Sequence, residues 1–438
     1  MHPIQKQLLE HRTGIVSYCT SNEIVLETIM EDAAARNVCI LIEATANQVN
    51  QLGGYTGMCA KEFVAFVRKL AHRTGLDDRS LILGGDHLGP LLWQDEPEAS
   101  AMEKAETLVT SYVEAGFTKI HLDTSMRLAD DPAQGPPSTE LIARRGARLA
   151  SAAMNAWTRL YKADPHAQDL VFIIGSEVPV PGGSLGAERL AVTSPDNFTD
   201  TMQAYKSVFE EYGMQQVLSQ VIGVVVQPGV EFSNRSVTRY NKSAVVGLAK
   251  CLKQFPGIVF EGHSTDYQST ENLAEMVHDG IRILKVGPEL TFSLREGLLL
   301  LTFLETELIP EHKHSHFRSV LDDVMCRNPA HWEHYYRGTF SEQILDRIYS
   351  YSDRCRYYLG AAAVQSAAKK LYENLDQISI PPNILSQFFP FTRSGTEGLT
   401  SRELLKGYLR HGVLEKYQKA TSVKENDEYE NNKHELLV

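Results

Sequence analysis

The sequence lacks closely spaced cysteines. Its six cysteines are scattered over 438 residues without a CxxC pair, at Cys19, Cys39, Cys59, Cys251, Cys326 and Cys355. Most of them lie in apolar or helical contexts, which is typical of reduced structural thiols and not of a disulfide framework. The pattern excludes a small disulfide-stabilised secreted fold and predicts a cytoplasmic protein.

An excess of basic residues and long apolar runs are also missing. The chain has 43 Lys and Arg against 55 Asp and Glu, a formal net charge of -12, which disfavours binding to nucleic acid or to an anionic membrane. No window reaches the roughly 18 apolar residues of a membrane span. The first residues, MHPIQKQLLEHRTG, also lack the apolar segment of a signal peptide. Neither nucleic acid nor membrane is therefore expected as a partner.

Short β-rich apolar runs recur along the chain, each followed by a polar or Gly-rich turn and then by a stretch with helical spacing. Eight such runs begin at Gly14, Val38, Leu81, Lys119, Val171, Val221, Gly257 and Ile281. Continuous Val, Ile and Leu runs are typical of parallel strands that are covered on both faces. Eight strand-helix units predict an α/β fold of the (β/α)8 TIM-barrel type, with residues 1–300 as the barrel. A doubly wound sheet is the alternative, but no GxGxxG follows the first strand.

Nearly every run ends in a polar or ionisable residue. Because all strand ends of such a barrel emerge on one rim, these residues are expected to converge there. They are Glu43, Asp86, His87, His121, Asp123, Glu177, Gln227, Glu261, His263, Asp266 and Lys285. The alternative for any single member is that it only caps the following helix. A purely structural barrel would not need an ionisable group at almost every strand end, so the set predicts a ligand or catalytic site.

Histidines and carboxylates on different strands suit a divalent metal such as zinc or manganese. Residues two apart on a strand face the same side, so Glu261 should project with His263, and His121 with Asp123. The catalytic candidates are Asp86, Glu43 and Asp123.

Two Gly-rich or Pro-rich loops at the same rim predict a polar pocket of the size of a sugar. NQVNQLGGYTGM contains Gln48 and Tyr55, and EVPVPGG begins at Glu177. Loops after the last two strands of barrels often hold phosphate, and GHST and VGPE offer backbone N–H groups there. The predicted substrate-binding or phosphate-binding residues are Gln48, Tyr55, Gln227, Ser264, Asp266, Lys285 and Arg295. The alternative for Lys285 and Arg295 is pairing with neighbouring acids.

Long motifs resemble the accessory Z subunit family of class II D-tagatose-1,6-bisphosphate aldolase. They are IEATANQVNQLGGYTGM, ILGGDHLGP, GFTKIHLD, EVPVPGG, VVVQPGVEF, HSTDYQ and ILKVGPELTFSLRE. The resemblance implies a non-catalytic protein that supports the activity and stability of a separate catalytic Y subunit, in galactitol, N-acetylgalactosamine or tagatose catabolism. Members are also labelled tagatose-6-phosphate kinases, but the sequence has no Walker A loop or kinase signature.

The resemblance also leaves open an enzyme, either a class II aldolase-like lyase or a 4-epimerase that interconverts ketohexoses or their phosphates by retro-aldol chemistry. The catalytic class II aldolases carry an Asp-His pair after one strand, which Asp86 and His87 match, with the Asp as acid/base and the His on the metal. At the places of their two further metal histidines this chain has Glu177, and Glu261 with a His263 that is shifted by two residues. The resemblance therefore implies His87, Glu177, Glu261 and His263 as the metal ligands. The implied partners are a Y-type aldolase and a small sugar phosphate.

The remaining residues lack strand-like runs. Amphipathic stretches predict a helical extension packed on the barrel over residues 301–420. The tail, residues 421–438, is polar and charged without a packing pattern and is predicted to be disordered.

Overall fold

Eight parallel strands close into a barrel in the computed structural model, which describes residues 1–178, 191–394 and 398–422. The strands are β1 (Ile15–Cys19), β2 (Ile40–Thr45), β3 (Leu81–Leu88), β4 (Lys119–Leu122), β5 (Val171–Ile174), β6 (Val221–Val226), β7 (Val259–Gly262) and β8 (Ile281–Val286). Each lies within one of the eight runs identified in the sequence. The predicted (β/α)8 barrel is therefore confirmed.

Each strand pairs in parallel with its neighbours in the chain, and β8 closes the barrel on β1 with Ile15 opposite Ile283. The floor of the interior is apolar. It is formed by inward residues of seven strands, Ile15, Leu41, Ile82, Val171, Ile173, Ile222, Val225, Val259 and Ile283, and is covered by Ile4 and Leu8 of the N-terminal turn. Side chains of a strand repeat every second residue, so the next inward residues, such as Glu43 after Leu41 and Lys285 after Ile283, lie one layer higher.

Helices surround the sheet. Those that follow the strands are Glu23–Arg36, Ala60–Thr74, Glu98–Ala115, Thr139–Ala163, Pro195–Glu211, Gln215–Gln220, Lys242–Leu252, Thr270–His278 and Pro288–Leu308. Local sequence sets several of their ends. Asn22, for example, accepts hydrogen bonds from the N–H groups of Ile24 and Val25, and Asn37 ends the same helix in the left-handed conformation at φ 52°. None of the described helices has the length and apolar character that a bilayer span requires.

The chain beyond the barrel is helical, as predicted. Its helices are Phe317–Arg327, Phe340–Tyr349, Ala362–Asp376, Pro382–Phe388, Ser401–Leu409 and Glu415–Ser422. The helix Pro288–Leu308 runs across the predicted boundary at residue 300, and extension residues such as Leu371 share one buried cluster with barrel residues such as Leu26. The last helix includes residues 421 and 422. The rest of the predicted disordered tail lies outside the described residues.

Candidate active site

A buried layer of charged side chains lies above the apolar floor of the barrel. Lys119 Nζ lies 2.5 Å from Glu43 Oε1 and 2.6 Å from Glu261 Oε2, although neither contact has the angles of a hydrogen bond. Lys285 Nζ pairs with Asp86 and lies 2.9 Å from Glu261 Oε1 and 3.4 Å from Glu43 Oε2. Two lysines therefore face three carboxylates, which leaves one negative charge in excess among these five groups. Such pairing is required for charges that are almost completely shielded from water.

The mutual charges set the protonation of this layer. Burial alone would raise the pKa of Asp86, but His87 and Lys285 hold that pKa well below its usual range. Burial opposes the ammonium of Lys285, yet Asp86, Glu261 and Glu43 raise its pKa well above the usual value. Asp86 is therefore a carboxylate and Lys285 an ammonium at neutral pH.

Three imidazoles form a nearly equilateral triangle over this layer. The ring centroids of His87 and His121 are 5.0 Å apart, those of His87 and His263 are 4.9 Å apart, and those of His121 and His263 are 5.2 Å apart. The three residues come from the ends of β3, β4 and β7. His87 has the left-handed conformation at φ 48°, which costs a non-glycine residue roughly 1–3 kcal/mol and is typical of functional sites.

Each imidazole makes a hydrogen bond to one carboxylate through one ring nitrogen. His87 Nδ1 lies 2.8 Å from Asp123 Oδ2, and His121 Nδ1 lies 2.8 Å from Asp86 Oδ1. His263 Nε2 lies 3.1 Å from Glu261 Oε1. Carboxylates that contact one nitrogen of a histidine fix its orientation and leave the other nitrogen available, as in protein metal sites.

His121 shows this arrangement most clearly. Its Nδ1 lies 2.8 Å from ionised Asp86 and 3.1 Å from the backbone N–H of His87, and one nitrogen cannot donate and accept at once. We assign the proton to Nδ1, because Asp86 is the charged acceptor. Nε2 then carries a lone pair, and it is buried without a hydrogen-bond partner in the described part of the chain. A buried polar atom left in this way costs about 1–3 kcal/mol unless a ligand occupies it.

The residues present fit a divalent metal. Asp86, His87, His121 and His263 each offer a ligand atom, and these atoms lie within 4.8 Å of one another. Burial and the charge of Lys285 lower the pKa of His121, and the same causes lower that of His263 to about 3. Both rings are therefore neutral at physiological pH, as metal ligands must be. Imidazole and carboxylate donors suit zinc or manganese.

A cavity of about 560 Å³ opens beside the histidines. Asp86, His87, His263 and Lys285 lie at its barrel end, and Gln48 and Tyr55 of the loop after β2 line its wall. Thr56 fixes this loop by donating a 2.7 Å hydrogen bond to the carbonyl of Gln48. The helical extension contributes Arg356 and Tyr357 to the lining. The volume suits a sugar-sized ligand with polar substituents.

Most residues predicted for the site do converge. The lining includes Asp86, His87, His263, Gln48, Tyr55, Ser264, Asp266 and Lys285. Glu43 and Glu261 lie in the charged layer, and Asp123 contacts His87.

Three predicted residues do not join this group. Glu177 is exposed and accepts a hydrogen bond from Asn197 at 2.5 Å. Gln227 accepts the N–H of Gly229 at 2.8 Å. Arg295 pairs with Asp353 at 2.8 Å, away from the cavity lining. Residues 179–183 of the predicted EVPVPGG wall lie outside the described ranges.

Sequence reasoning assigned no role to His121, Lys119 or Arg356. His121 was part of the predicted ring at the strand ends, and its spacing of two from Asp123 was the signal available. Lys119 begins β4 two residues earlier and therefore faces the same interior. Arg356 lies in a short turn of the extension, Arg354–Tyr357, for which the sequence offers no comparable signal.

Residues 2–422 match the family model described as D-tagatose-1,6-bisphosphate aldolase subunit GatZ/KbaZ-like. The crystal structure of a probable tagatose 6 phosphate kinase from Sinorhizobium meliloti 1021 is similar, with 40% sequence identity and a TM-score of 0.84 over 93% of this chain and 100% of that chain. A putative fructose-1,6-bisphosphate aldolase from Coccidioides immitis has 11% identity and a TM-score of 0.43, over 84% of this chain and 96% of its own. The YdjI aldolase from Escherichia coli K12 has 11% identity and a TM-score of 0.40, over 84% and 97%.

Proposed function

Because the chain belongs to the D-tagatose-1,6-bisphosphate aldolase subunit GatZ/KbaZ-like family, we propose that its own barrel acts on a ketohexose phosphate as a metal-dependent 4-epimerase. Two observations carry this proposal: His121 Nε2 is buried without a hydrogen-bond partner in the described part of the chain, and Asp86, His87, His121 and His263 each offer a ligand atom within 4.8 Å of the others. A protein with only a supporting role would have no need of three histidines and a carboxylate gathered in this way. The free cysteines support a cytoplasmic location.

The chemistry requires a base, a charge to stabilise an enolate and a closed space. His87, His121 and His263 would hold a zinc or manganese ion, which supplies Lewis-acid polarisation of the ketose carbonyl. The Asp86 carboxylate, which lines the cavity, accepts the proton of the C4 hydroxyl. The C3–C4 bond breaks, C4 becomes an aldehyde, and the electron pair passes to the carbonyl oxygen of the three-carbon enediolate.

The return step inverts carbon 4. The aldehyde fragment rotates within the cavity, the enediolate attacks its other face, and Asp86 returns the proton to the new C4 oxygen. The Lys285 ammonium, which also lines the cavity, stabilises the enediolate charge. Atoms and charge balance without a co-reactant, so fructose 6-phosphate and tagatose 6-phosphate would interconvert without net cleavage.

The experiment uses the purified full chain, either zinc- or manganese-replete or treated with EDTA. Tagatose 6-phosphate is supplied and fructose 6-phosphate is measured by NMR. We expect turnover by the metal-loaded chain that EDTA abolishes and metal restores. Asp86→Asn, assayed with the metal in sufficient excess to keep the site loaded, should lose turnover by about 100-fold or more, the scale of general acid–base catalysis. A metal-loaded wild type without turnover would overturn the epimerase proposal.

An accessory role is the second candidate. It is favoured by one observation, namely that the matching family is described as an aldolase subunit. In this role the chain would bind the folded catalytic aldolase subunit and stabilise it by mass action. Adding an excess of this chain should then raise the activity and melting temperature of that aldolase. If both stay unchanged while the chain turns over ketohexose phosphate alone, the accessory role is excluded.

A further inference from the structure

If the cavity binds a sugar phosphate, it needs a cation to pair with the phosphate group. Its lining includes the side chains of Lys285, Arg356 and Arg402. Lys285 already contacts three carboxylates in the charged layer. Arg402 pairs with Glu27 at 2.8 Å. The charge of Lys285 is therefore neutralised by the protein itself, and Arg402 is held by Glu27, a carboxylate that it shares with Arg73 and Lys406.

Arg356 differs from them. Among the described residues, no carboxylate lies within ion-pair distance of its guanidinium. Instead it donates to the carbonyls of Ser352 and Asp353, the latter at 3.0 Å, and to the hydroxyl of Tyr357 at 2.8 Å. A guanidinium has five N–H donors, so these three bonds fix its orientation and leave about two donors for a ligand.

Aromatic side chains hold Arg356 in place. The guanidinium carbon lies 4.4 Å from the centroid of the Tyr357 ring, a cation–π contact. Tyr357 also packs edge-on against Tyr55 at 4.7 Å and stacks on His331 at 4.7 Å. Residues of the barrel loop and of the extension thus position an oriented, unneutralised guanidinium on the cavity wall. Such a group fits a phosphate, whose oxygens accept two parallel N–H bonds.

We propose that Arg356 binds the phosphate group of the substrate, so that the helical extension selects phosphorylated over free ketoses. This inference rests on the proposed ketohexose phosphate chemistry of the same cavity. It gives the extension a direct part in specificity. The other candidate, Arg295, is already paired with Asp353.

The test measures binding and not only activity. Titration calorimetry measures the binding of inorganic phosphate and of tagatose 6-phosphate to the full chain. EDTA is present, so that phosphate cannot bind through a metal ion. We expect Arg356→Gln to weaken the affinities for inorganic phosphate and for tagatose 6-phosphate by about 10- to 100-fold, the scale of charge-assisted hydrogen bonds. Free tagatose should bind wild type and variant within about twofold of each other. The control is Arg337→Gln, because Arg337 is an exposed arginine of the same extension outside the cavity lining. It removes the same charge and should leave the affinities for phosphate and tagatose 6-phosphate unchanged.

The outcomes separate this proposal from the proposed function. Phosphate binding that is equal in Arg356→Gln and wild type, or absent from both, overturns the role of Arg356 even if the chain is an epimerase. If phosphate binding depends on Arg356 but the chain shows no turnover, the anion site is supported and only the epimerase proposal is overturned. If Arg356→Gln does not fold, Arg356→Lys decides: it keeps the charge but loses the planar fork, and unchanged phosphate affinity in that variant also overturns the proposal.

Discussion

His121 is a residue whose surroundings predict its behaviour on substitution. Its Nε2 is buried without a partner, and its ring is fixed by Asp86. We expect His121→Ala to lower the zinc or manganese content of the purified chain by at least tenfold, since the loss of a ligand costs at least as much as the loss of a group that orients one. The variant should still fold, because the barrel floor lies below this residue. Metal analysis and circular dichroism measure the two effects.

A matched control is His278→Ala, because His278 is a partly exposed histidine at the end of a helix outside the cavity lining. That variant should keep the full metal content. Equal metal content in wild type and His121→Ala would show that the triangle of imidazoles does not hold a metal.

Asp266 predicts a pH dependence of stability. Burial, followed by repulsion from Glu289, raises its pKa from 3.8 to about 7. The folded chain therefore keeps this proton up to neutral pH, whereas the unfolded chain releases it near pH 4. Its contribution to the free energy of unfolding is full below the lower pKa and is lost as the pH rises to about 7. Asp266→Asn cannot ionise but still offers Oδ1 to the N–H groups of Gly287 and Glu289.

The expected result is a stability difference that grows with pH. Relative to wild type, Asp266→Asn should gain up to about 3 kcal/mol between about pH 5 and about pH 8, since one pKa unit corresponds to about 1.4 kcal/mol. Thermal unfolding at both pH values measures the gain. Asp323→Asn, at an exposed position, should show no such trend. A gain that shrinks with rising pH would contradict the assigned burial of the charge.

The site residues that the sequence predicted well are those whose position follows from strand periodicity. Asp86, His87 and His263 lie at strand ends, and a closed parallel barrel brings all strand ends to one rim. Arg295 shows the limit of this reasoning. Arg295 forms an ion pair with Asp353, which lies 58 residues later in the chain. No local sequence pattern indicates which distant carboxylate an arginine will pair with. Lys119 was missed for the same reason, since its two carboxylates lie on β2 and β7.

At the scale of elements, strands were easier to predict than the packing of the extension. Continuous Val, Ile and Leu runs mark a strand that is covered on both faces, as in β6 with its six buried residues, Val221–Val226. The helices of the extension appear in the sequence only as amphipathic stretches. The helical pattern does not specify which barrel surface each helix covers, because that depends on tertiary contacts.

The last helix, Glu415–Ser422, illustrates such contacts. Tyr417 and Ala420 are completely buried. The Tyr417 hydroxyl donates to the carbonyl of Thr265 at 2.8 Å, and the carbonyl of Thr421 accepts the N–H of Gly14 at 3.0 Å. The helix therefore supports the loop after β7 that carries His263 and Ser264.

We expect truncation after Leu414 to lower the free energy of unfolding by at least about 3 kcal/mol, the cost of losing one buried aromatic side chain, and to weaken metal binding. Truncation after Ser422 is the matched control, because the sequence beyond it has no packing pattern. It should change the melting temperature by less than about 1 °C. Equal melting temperatures for the two truncated chains would show that the helix does not stabilise the barrel.

At the scale of the whole molecule, barrel and extension share one core and one cavity. Leu371 and Leu404 of the extension belong to the same buried cluster as Val25 and Leu26 of the barrel. Arg356 and Tyr357 line the same cavity as His87 and His263. The residues that fit a metal, in contrast, all come from the barrel. A metal that binds only the folded barrel therefore stabilises the extension as well, if the two parts unfold together.

We expect calorimetry of the full chain to show one unfolding transition, and metal at about a hundredfold above its Kd to stabilise the chain by about 2.7 kcal/mol. Hydrogen exchange adds spatial resolution: the amides of the helix Ala362–Asp376, which holds no metal ligand, should become more protected on metal addition. In His121→Ala, the same addition should leave both the transition and the exchange rates unchanged. Two separate transitions, with metal shifting only one of them, would mean that the extension is an independent unit and that its wall of the cavity forms without help from the barrel.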